Sequence, residues 1–453
     1  MTKLKPYSVY TEVDADFLDR IPQEWTLQPA VTLARVLTSS VDKHSVDGEV
    51  PVQLCNYTDV YYNDTIRANH AYMKATASKD QISAFSVERG DVVFTKDSET
   101  ADDIGISAYV EETLPGVVYG YHLTTYRPSD LRYGRFLKWL LDSSYVKATF
   151  QTRTLGVTRV GLGQNTVRYL RVPTPPPNEA QVIGEFLDRE TAEIDAFIAD
   201  QKQLIGLLTE RRAATISHAV TRGIDPTAPL KDTGLAWFPS QPVNWNLIAI
   251  RLGSTLIQTG PFGSQLHSHE YVEDGVPLIN PMHLVDGSIR PSPTTTVSSE
   301  KAAELQRHAL RLGDIVIARR GELGRCAVVT NRSVGALCGT GSAIIRLDER
   351  WFDARYFHLV FSSAQTQAAL LQYSIGSTMD NLNAELVGSL RVPAPSLREQ
   401  ALIAEYVYRE SEEIDASIAD AKEAIALSRE RRAALISAAV TGKIDVREHG
   451  AVA

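Results

Sequence analysis

Three arginines in the stretch "ARRGELGR" have the side-chain type and spacing that suit contact with DNA. They are Arg319, Arg320 and Arg325, and they follow the short apolar run "DIVIA". A guanidinium group can hold a phosphate or bind the edge of a guanine through two parallel hydrogen bonds. A charged loop that meets only water would have the same composition, so DNA contact by at least one of these arginines is a hypothesis.

The stretch "GPFGSQLHSH" offers a second set of polar side chains, Ser264, Gln265 and His267, beside two glycines. Glycine lets a backbone approach a ligand closely, and serine or glutamine can hydrogen-bond to base edges, although a polar surface turn is the alternative. His267, His269 and Glu270 also raise the question of a metal. Their close spacing, without cysteine or a second cluster, is not typical of zinc, and we predict no metal.

In the first half of the chain the parallel candidates for DNA contact are Lys96 and Arg159, whose cations suit phosphates. Tyr57 and Tyr61 are more often packing residues than base readers. The other candidates in this half are Asn56, Asp97 and Ser98.

Two further candidates, Thr378 and Asn381, lie shortly before a repeated segment near the end of the chain. Thr158 occupies the matching place in the first half. For these residues a turn or helix-capping role is at least as good an interpretation as contact with bases.

Motifs for catalysis are missing from the sequence. It contains no GxxxxGK[ST] nucleotide-binding loop, and "INPMH" at 279–283 differs from the Asn-Pro-Pro-aromatic pattern of a DNA methyltransferase. No nuclease-type cluster of carboxylates and lysine stands out. We expect the chain to be non-catalytic on its own and to carry no cofactor.

The 453 residues, 43% hydrophobic and 22% charged, are typical of a folded protein with two or three domains. A formal net charge of −9 is unusual for a DNA-binding protein, but net charge averages over faces and does not exclude a basic groove. The cysteines, Cys55, Cys326 and Cys338, do not predict a disulfide framework. Since no signal peptide or membrane-spanning run is evident, we expect a cytoplasmic location.

An internal repeat supplies the elements that must position the candidate side chains. Residues 170–225 align without a gap on residues 390–445, and about 32 of 56 positions are identical. The same offset of about 220 residues relates "IPQEW" at 21–25 to "QPVNW" at 241–245. Between these matched ends the two halves diverge, so the chain consists of two variable blocks, each followed by a shared segment.

Each shared segment is predicted to be one long helix. Prolines precede it, and Glu179 or Glu399 falls in its first turn. Gly223 or Gly442 marks its end, which gives a helix of about 43 residues and about 65 Å. Apolar residues recur at alternate spacings of three and four, as in a seam between helices. The residues expected to line this seam or to meet a partner are Ile194, Ile198, Ile205, Arg211, Arg212, Ile414, Ile418, Ile425, Arg431 and Arg432.

We therefore expect an α+β protein in which two mixed α/β domains are separated by two long repeated helices. The helices are expected to pack as an antiparallel coiled coil with pseudo-twofold symmetry. Two unlike domains held at a set distance would suit a DNA target made of two different half-sites. The expected boundaries are 1–174 and 245–394 for the two domains, 175–223 and 395–442 for the helices, 224–244 for a linker and 443–453 for a tail.

Several motifs together make the chain resemble the specificity subunit of Type I restriction-modification systems. "PSLREQALIAEYV" and "ERRAALISAAVTGKID" resemble the start and end of that family's repeated helices, although the first copy has Glu179-Ala180-Gln181 in place of Glu-Gln. "TGPFGSQLHSHEYVEDGVPLINPMHL" resembles the opening of a recognition domain. "LCNYTDVYYND", "GDVVFTKDSETADDIG" and "GDIVIARRGELGRCAVV" continue the pattern, so the resemblance covers nearly the whole chain.

The resemblance implies a DNA-binding subunit with two target recognition domains that read an asymmetric bipartite sequence. Its implied partners are double-stranded DNA, two modification subunits that methylate adenine with S-adenosylmethionine, and two restriction subunits that use ATP and Mg²⁺. Two alternatives stay open. One is the recognition subunit of a restriction enzyme whose modification and nuclease subunits are fused, and the other is a coiled-coil scaffold that does not bind DNA.

Overall fold

The structure is a computed structural model that describes residues 4–156, 158–262, 265–374 and 382–449. The chain forms two compact units. The first unit comprises Met1–Gln201 and Lys422–Ala453, and the second comprises Lys202–Ala421. Each unit therefore contains one variable block together with half of each long helix.

The first block is built from short strands and small helices. Its helices are α1 (Ala30–Leu33), α2 (Tyr57–Tyr61), α3 (Lys79–Phe85), α4 (Gly134–Leu141), α5 (Ser144–Thr152) and α6 (Gln164–Arg168), and α7 (Pro177–Arg222) follows them. Its strands are β1 (Tyr10–Glu12), β2 (Arg20–Pro22), β3 (Thr26–Pro29), β4 (Ala34–Thr38), β5 (Val50–Cys55), β6 (Thr65–Ile66), β7 (Met73–Ala77), β8 (Ser86–Val87), β9 (Val92–Thr95), β10 (Asp97–Ser98), β11 (Ser107–Val110), β12 (Leu114–Tyr119), β13 (Leu123–Pro128), β14 (Thr154–Leu155), β15 (Val160–Leu162) and β16 (Arg171–Thr174).

The second block has the same kind of composition. Its helices are α8 (Ser299–Glu304), α9 (Ala354–Ser362), α10 (Ala364–Ser374) and α11 (Ala384–Ser389), and α12 (Leu397–Val440) follows them. Its strands are β17 (Leu230–Asp232), β18 (Ser240–Pro242), β19 (Asn246–Ala249), β20 (Ser254–Thr259), β21 (Tyr271–Val272), β22 (Val276–Ile279), β23 (Leu284–Val285), β24 (Ser288–Ile289), β25 (Thr296–Val297), β26 (Ile315–Ala318), β27 (Cys326–Val328), β28 (Leu337–Cys338), β29 (Ser342–Leu347) and β30 (Arg391–Ala394).

The two blocks share a common arrangement of strands. In the first, β9 pairs antiparallel with β13, which also pairs with β4, and β5 runs parallel to β12. In the second, β26 pairs antiparallel with β29, which also pairs with β20, and β22 runs parallel to β28. The residues of β9 and β26 are all buried, which explains why "VVFT" and "IVIA" are apolar runs without alternation.

Each block buries one aspartate just before this central strand and pairs it with an arginine. Asp91 is fully buried and accepts hydrogen bonds from Nε and Nη2 of Arg127, both at 2.8 Å. Asp314 is 1% exposed and accepts from Nε and Nη2 of Arg346 at 2.8 and 2.7 Å. Removing one member of such a pair leaves the other charge buried without compensation.

Two long helices, α7 with 46 residues and α12 with 44, confirm the helical prediction for the repeated segments. The start of each is joined to its own block by a tryptophan that donates a hydrogen bond to a glutamate in the first turn. Trp25 Nε1 donates to Glu179 Oε1 at 2.9 Å, and Trp245 Nε1 donates to Glu399 Oε1 at 2.9 Å. These residues are related by the sequence repeat, so the repeat preserves a contact as well as a helix.

Each helix ends at a glycine in the left-handed conformation, Gly223 at φ +77° and Gly442 at φ +71°. In the second unit a Cβ on Gly223 would lie 3.2 Å from Cζ2 of Trp245. In the first unit a Cβ on Gly442 would lie 3.4 Å from Trp25. Within each unit, therefore, the start of one helix and the end of the other meet at the same tryptophan.

The helix halves within each unit run antiparallel, as predicted, because the start of one helix lies beside the end of the other. Side chains along them are in contact. In the second unit Arg211 pairs with Glu410 and Arg212 with Asp415, the latter at 2.6 Å. In the first unit Arg432 pairs with Asp195 at 3.0 Å, while Phe186 packs its ring against His449. The seam residues Ile194, Ile198, Ile414 and Ile425 are buried, Ile205 and Ile418 are half-buried, and Arg431 is exposed.

The expected linker at 224–244 is a folded part of the second block. It contains β17 and β18, which pair antiparallel, and Phe238, which is fully buried. The aromatic side chains of "TGLAWFPSQPVNW" enter the core beside Ala219 and Val220 of α7. The linker prediction is wrong for this reason.

A buried histidine joins the second block to α12. His358 of α9 lies with Nδ1 2.9 Å from the hydroxyl of Tyr408, and Nε2 has no hydrogen-bond partner. Burial lowers the pKa of His358 to about 4. The imidazole is therefore neutral in the folded protein throughout the range in which a solvated histidine gains a proton.

The buried ion pair of the second block gives a stability prediction. Arg346→Met should lower the free energy of unfolding by about 3–5 kcal/mol, because it strands the Asp314 carboxylate in the core. Arg350→Met is the matched control, since Arg350 is 84% exposed in its pair with Asp348 and its loss should cost about 1 kcal/mol or less. Urea unfolding measures both, and equal losses would contradict the prediction.

The burial of His358 predicts how the stability of the fold depends on pH. The unfolded chain binds a proton at His358 below pH about 6.5, whereas the folded chain does so only near pH 4, so stability should fall as the pH falls through this window. The contribution is up to about 3 kcal/mol. His358→Gln should unfold at a urea concentration that changes less between pH 7.5 and pH 4.5. His44→Gln, at an exposed site, should retain the wild-type pH dependence.

Candidate DNA-recognition surface

The seven candidates of the first block come together in the structure. Asn56 precedes α2, which carries Tyr57 and Tyr61, and the two tyrosine rings stack with centroids 5.4 Å apart. Ser98 in β10 pairs with Val160 in β15, which places it beside Arg159. The pKa of Tyr57 is raised by burial, while a hydrogen bond with Ser98 and the charge of Arg159 act in the opposite direction.

Asp97 organises the polar part of this cluster. One carboxylate oxygen lies 3.0 Å from Nζ of Lys96, and the other lies 2.7 Å from Nδ1 of His122. Lys96 also lies 4.3 Å from the ring centroid of Tyr121, which is half exposed. The cluster therefore offers a cation, aromatic faces and an acceptor within one small surface.

Two of the seven candidates have structural roles. Asn56 caps α2, since its side chain accepts from the Tyr57 backbone amide at 2.8 Å. The hydroxyl of Tyr61 donates to Asp103 at 2.9 Å, which raises the pKa of Tyr61. Their contact with DNA stays a prediction, as does that of Lys96, which pairs with Asp97, and of the exposed Arg159.

The arginines of the second block differ sharply in exposure. Arg319 is only 4% exposed, and its Nε donates to the Leu382 carbonyl at 2.6 Å. Burial lowers the pKa of Arg319. The alternative of a side chain that meets only water is therefore wrong for Arg319, which holds the loop together, and its DNA contact stays a prediction. Arg320 is exposed, and Arg325 donates to the Pro281 carbonyl at 3.3 Å and pairs with Glu322.

The "GPFGSQLHSH" stretch lies partly in the described structure. Gln265 accepts from the Phe262 amide at 3.4 Å, and His267 stacks on His269 with ring centroids 5.5 Å apart. Glu270 pairs with Lys301 at 2.8 Å, and this hydrogen bond lowers the pKa of Glu270. No group of three or more His, Cys, Asp or Glu suited to a metal occurs among the described residues. Ser264, Thr378 and Asn381 lie outside the described residues.

A turn that the sequence did not single out occupies equivalent places in both blocks. In the first block Gly120 donates its amide to the Cys55 carbonyl at 2.8 Å, and Lys96 donates its amide to the His122 carbonyl at 3.1 Å. In the second, Gly339 donates to Ile279 at 2.9 Å and Arg319 to Gly341 at 2.9 Å. Lys96 therefore corresponds to Arg319, and the tip "GYH" at 120–122 corresponds to "GTG" at 339–341.

Comparisons with known proteins agree with this architecture. A family model described as "Type I restriction modification DNA specificity domain" matches residues 46–205. The Type I restriction enzyme EcoBI specificity subunit of Escherichia coli is 25% identical over 263 residues, which are 56% of this chain and 54% of that protein. The match thus spans about half of that relative. The EcoKI specificity subunit of Escherichia coli strain K12 is 21% identical over 85% of this chain and 81% of its own length.

Solved structures share the fold. A chain from a study of complex assembly and conformational transition of the type I R-M system has a TM-score of 0.72 at 16% identity, covering 94% of this chain and 99% of that chain. The HsdS subunit from Thermoanaerobacter tengcongensis has a TM-score of 0.53 at 15% identity, covering 94% and 98%. The chain is thus similar to Type I restriction-modification specificity subunits in residues 46–205, which match the family model, and in its fold.

The paired helices present a groove in the first unit. Its volume is about 1170 Å³, and it is lined by the partly exposed side chains of Phe197 and Leu427 together with Glu190 and Arg431. Arg431, which is expected either in the seam or at a partner surface, is exposed. Partner docking at this groove stays a prediction.

Among the described residues no helix is long and apolar enough to cross a membrane. The residues that sequence reasoning missed are those of the "GYH" turn, Tyr121 and His122. Their signal was weak, because a glycine followed by aromatic residues after an apolar run is equally typical of an ordinary hairpin.

Proposed function

We propose that this specificity subunit binds double-stranded DNA, reads an asymmetric bipartite sequence and directs modification and restriction subunits to it, without catalysing either reaction itself. One observation carries the proposal. Both blocks share the same frame, with a buried Asp–Arg pair, a parallel strand pair and a glycine turn, yet they display different side chains at equivalent positions. A shared backbone arrangement that carries different surface side chains suits two recognition domains for two different half-sites.

The display of the first block suits both phosphates and base edges. Lys96 and Arg159 supply cations for the backbone, while Tyr57 and Tyr121 supply flat faces. Asp97 holds Lys96 and His122 in place, because each of its carboxylate oxygens is bonded to one of them.

The display of the second block has a different chemistry. Arg320 is exposed, and arginine is the side chain best suited to the guanine edge. The turn carries glycines at 339 and 341, so the backbone itself can approach a groove. The two half-sites should therefore differ in sequence.

The partners belong to the same proposal. Two modification subunits with S-adenosylmethionine and two restriction subunits with ATP and Mg²⁺ would perform the chemistry in the cytoplasm. The exposed groove between the helix halves of the first unit supports docking there, because its apolar side chains Phe197 and Leu427 lie between charged ones. The present subunit would hold no cofactor of its own.

The decisive experiment is methylation in cells. This subunit should be expressed with a modification subunit from the same genome in a host free of adenine methylation. Adenines in one bipartite motif should then be methylated, which sequencing that detects methylated adenine would reveal. A failure to bind any DNA at low salt, even with the modification partner present, would overturn the proposal.

A binding prediction tests the first block. The double variant Lys96→Ala, Arg159→Ala should weaken DNA binding similarly across sequences and reduce the slope of log affinity against log salt by about 2, because each phosphate contact contributes about 0.9. Fluorescence anisotropy at several salt concentrations measures this change.

The matched control is Lys79→Ala, Arg89→Ala, which removes the same charge from exposed positions of the same block away from the cluster. It should leave the salt slope nearly unchanged. An equal loss in both double variants would mean that net charge, rather than this surface, governs binding.

A further inference from the structure

We infer that His122 reads one base pair of the half-site recognised by the first block, and that Asp97 is the residue that positions it. This inference rests on the proposed function, since it names a base-reading residue within that site. His122 is 33% exposed in its side chain, so the ring is partly available to a ligand.

The backbone around His122 is tightly fixed. Its carbonyl accepts from the Lys96 amide at 3.1 Å. The preceding residues are held as well, because Gly120 donates to Cys55 at 2.8 Å and Tyr121 donates to Val41 at 2.8 Å. These backbone hydrogen bonds fix the position of His122, so little conformational entropy is lost at this residue when DNA binds.

The ring itself is held between two tyrosines. The centroid of Tyr121 lies 5.0 Å from the imidazole centroid at an interplanar angle of 76°, and that of Tyr57 lies 6.5 Å away at 90°. Both present an edge-to-face geometry. Packing from two sides leaves the imidazole few alternative rotamers.

Asp97 then fixes which ring nitrogen carries the proton. Its Oδ1 lies 2.7 Å from Nδ1, and a carboxylate only accepts, so Nδ1 donates. Among the described residues nothing hydrogen-bonds Nε2. In the neutral ring Nε2 is consequently an acceptor with a fixed direction.

An acceptor in the major groove discriminates between bases. Adenine N6 and cytosine N4 are donors there, whereas guanine and thymine present only acceptors at the corresponding places. His122 should therefore favour adenine or cytosine at one position and disfavour guanine or thymine. The effect expected of one such contact is about tenfold in affinity.

The second block cannot make this contact at the equivalent position. Gly341 stands there, and a Cβ would lie 2.9 Å from Cδ of Pro281, so no side chain projects from it. The reading by His122 should accordingly affect one half-site and leave the other unchanged.

The test is the relative affinity of the complete subunit, with its modification partner, for duplexes that carry each base at each position of both half-sites. It is made at pH 8. His122→Ala should reduce the preference for adenine or cytosine over guanine or thymine by about tenfold at one position of one half-site. The second half-site and the spacer should be unaffected.

The variant Asp97→Asn tests whether Asp97 determines which nitrogen of His122 carries the proton, because it changes the hydrogen-bonding group and keeps the size of the side chain. An asparagine amide can donate to Nδ1, which would move the proton to Nε2 and turn it from an acceptor into a donor. The preference at the same position should then shift toward guanine or thymine. A merely structural role for Asp97 would lower affinity at all positions alike.

His44→Ala is the control, because His44 is 76% exposed in the same block. It should leave every preference unchanged.

If His122→Ala does not fold, His122→Gln, whose amide can both donate and accept, should relax the same single preference. A normal affinity with no change of preference in these variants, or a wild-type preference for guanine or thymine at the affected position, would overturn the inference while the proposed function stands. No DNA binding by the wild-type complex would instead refute the proposed function.

Discussion

A buried carboxylate at the start of the central strand is the interaction on which each block depends. Asp91 and Asp314 lie away from water, and each is satisfied by the guanidinium of a neighbouring strand and by a backbone amide. Such a group tolerates one arrangement of donors, so it fixes the register of β9 against β13 and of β26 against β29. The opposite ends of those strands carry the turns and loops of the candidate surface. The buried aspartate–arginine pair at one end of these strands thus determines the geometry of the candidate surface at their other end.

The long helices could be predicted from the sequence because their signals are local. Prolines at the start, glycines at the end and the three-four spacing of apolar residues are all read within one segment, and the duplication supplied the pairing. The blocks could not be predicted to the same depth. Their parallel pairs, such as β5 with β12, join strands that are distant along the chain, and no local pattern specifies which ones meet.

The candidate surface could be predicted only in part, because the sequence shows which side chains are present but not which of them meet in the fold. Side-chain type predicts Lys96, Asp97 and Arg159 as candidates, and the structure brings them together. Arg319 is also a cation, yet its side chain points into the loop, where its Nε donates a hydrogen bond to the Leu382 carbonyl. His122 was missed because its importance comes from Asp97, a neighbour only in three dimensions. Residue type identifies chemistry, while the environment decides whether that chemistry is available.

The first unit combines residues from both ends of the chain. Its core contains Trp25 and Leu187 together with Ile436, Val440 and Val446, and the backbone amide of Asp445 donates to Lys5 at 2.7 Å. The second unit is continuous in sequence, from 202 to 421. During synthesis on the ribosome the second unit can complete its core first. The block that is made first must wait for the last part of the chain, and in that interval its unfilled core is exposed to chaperones and proteases.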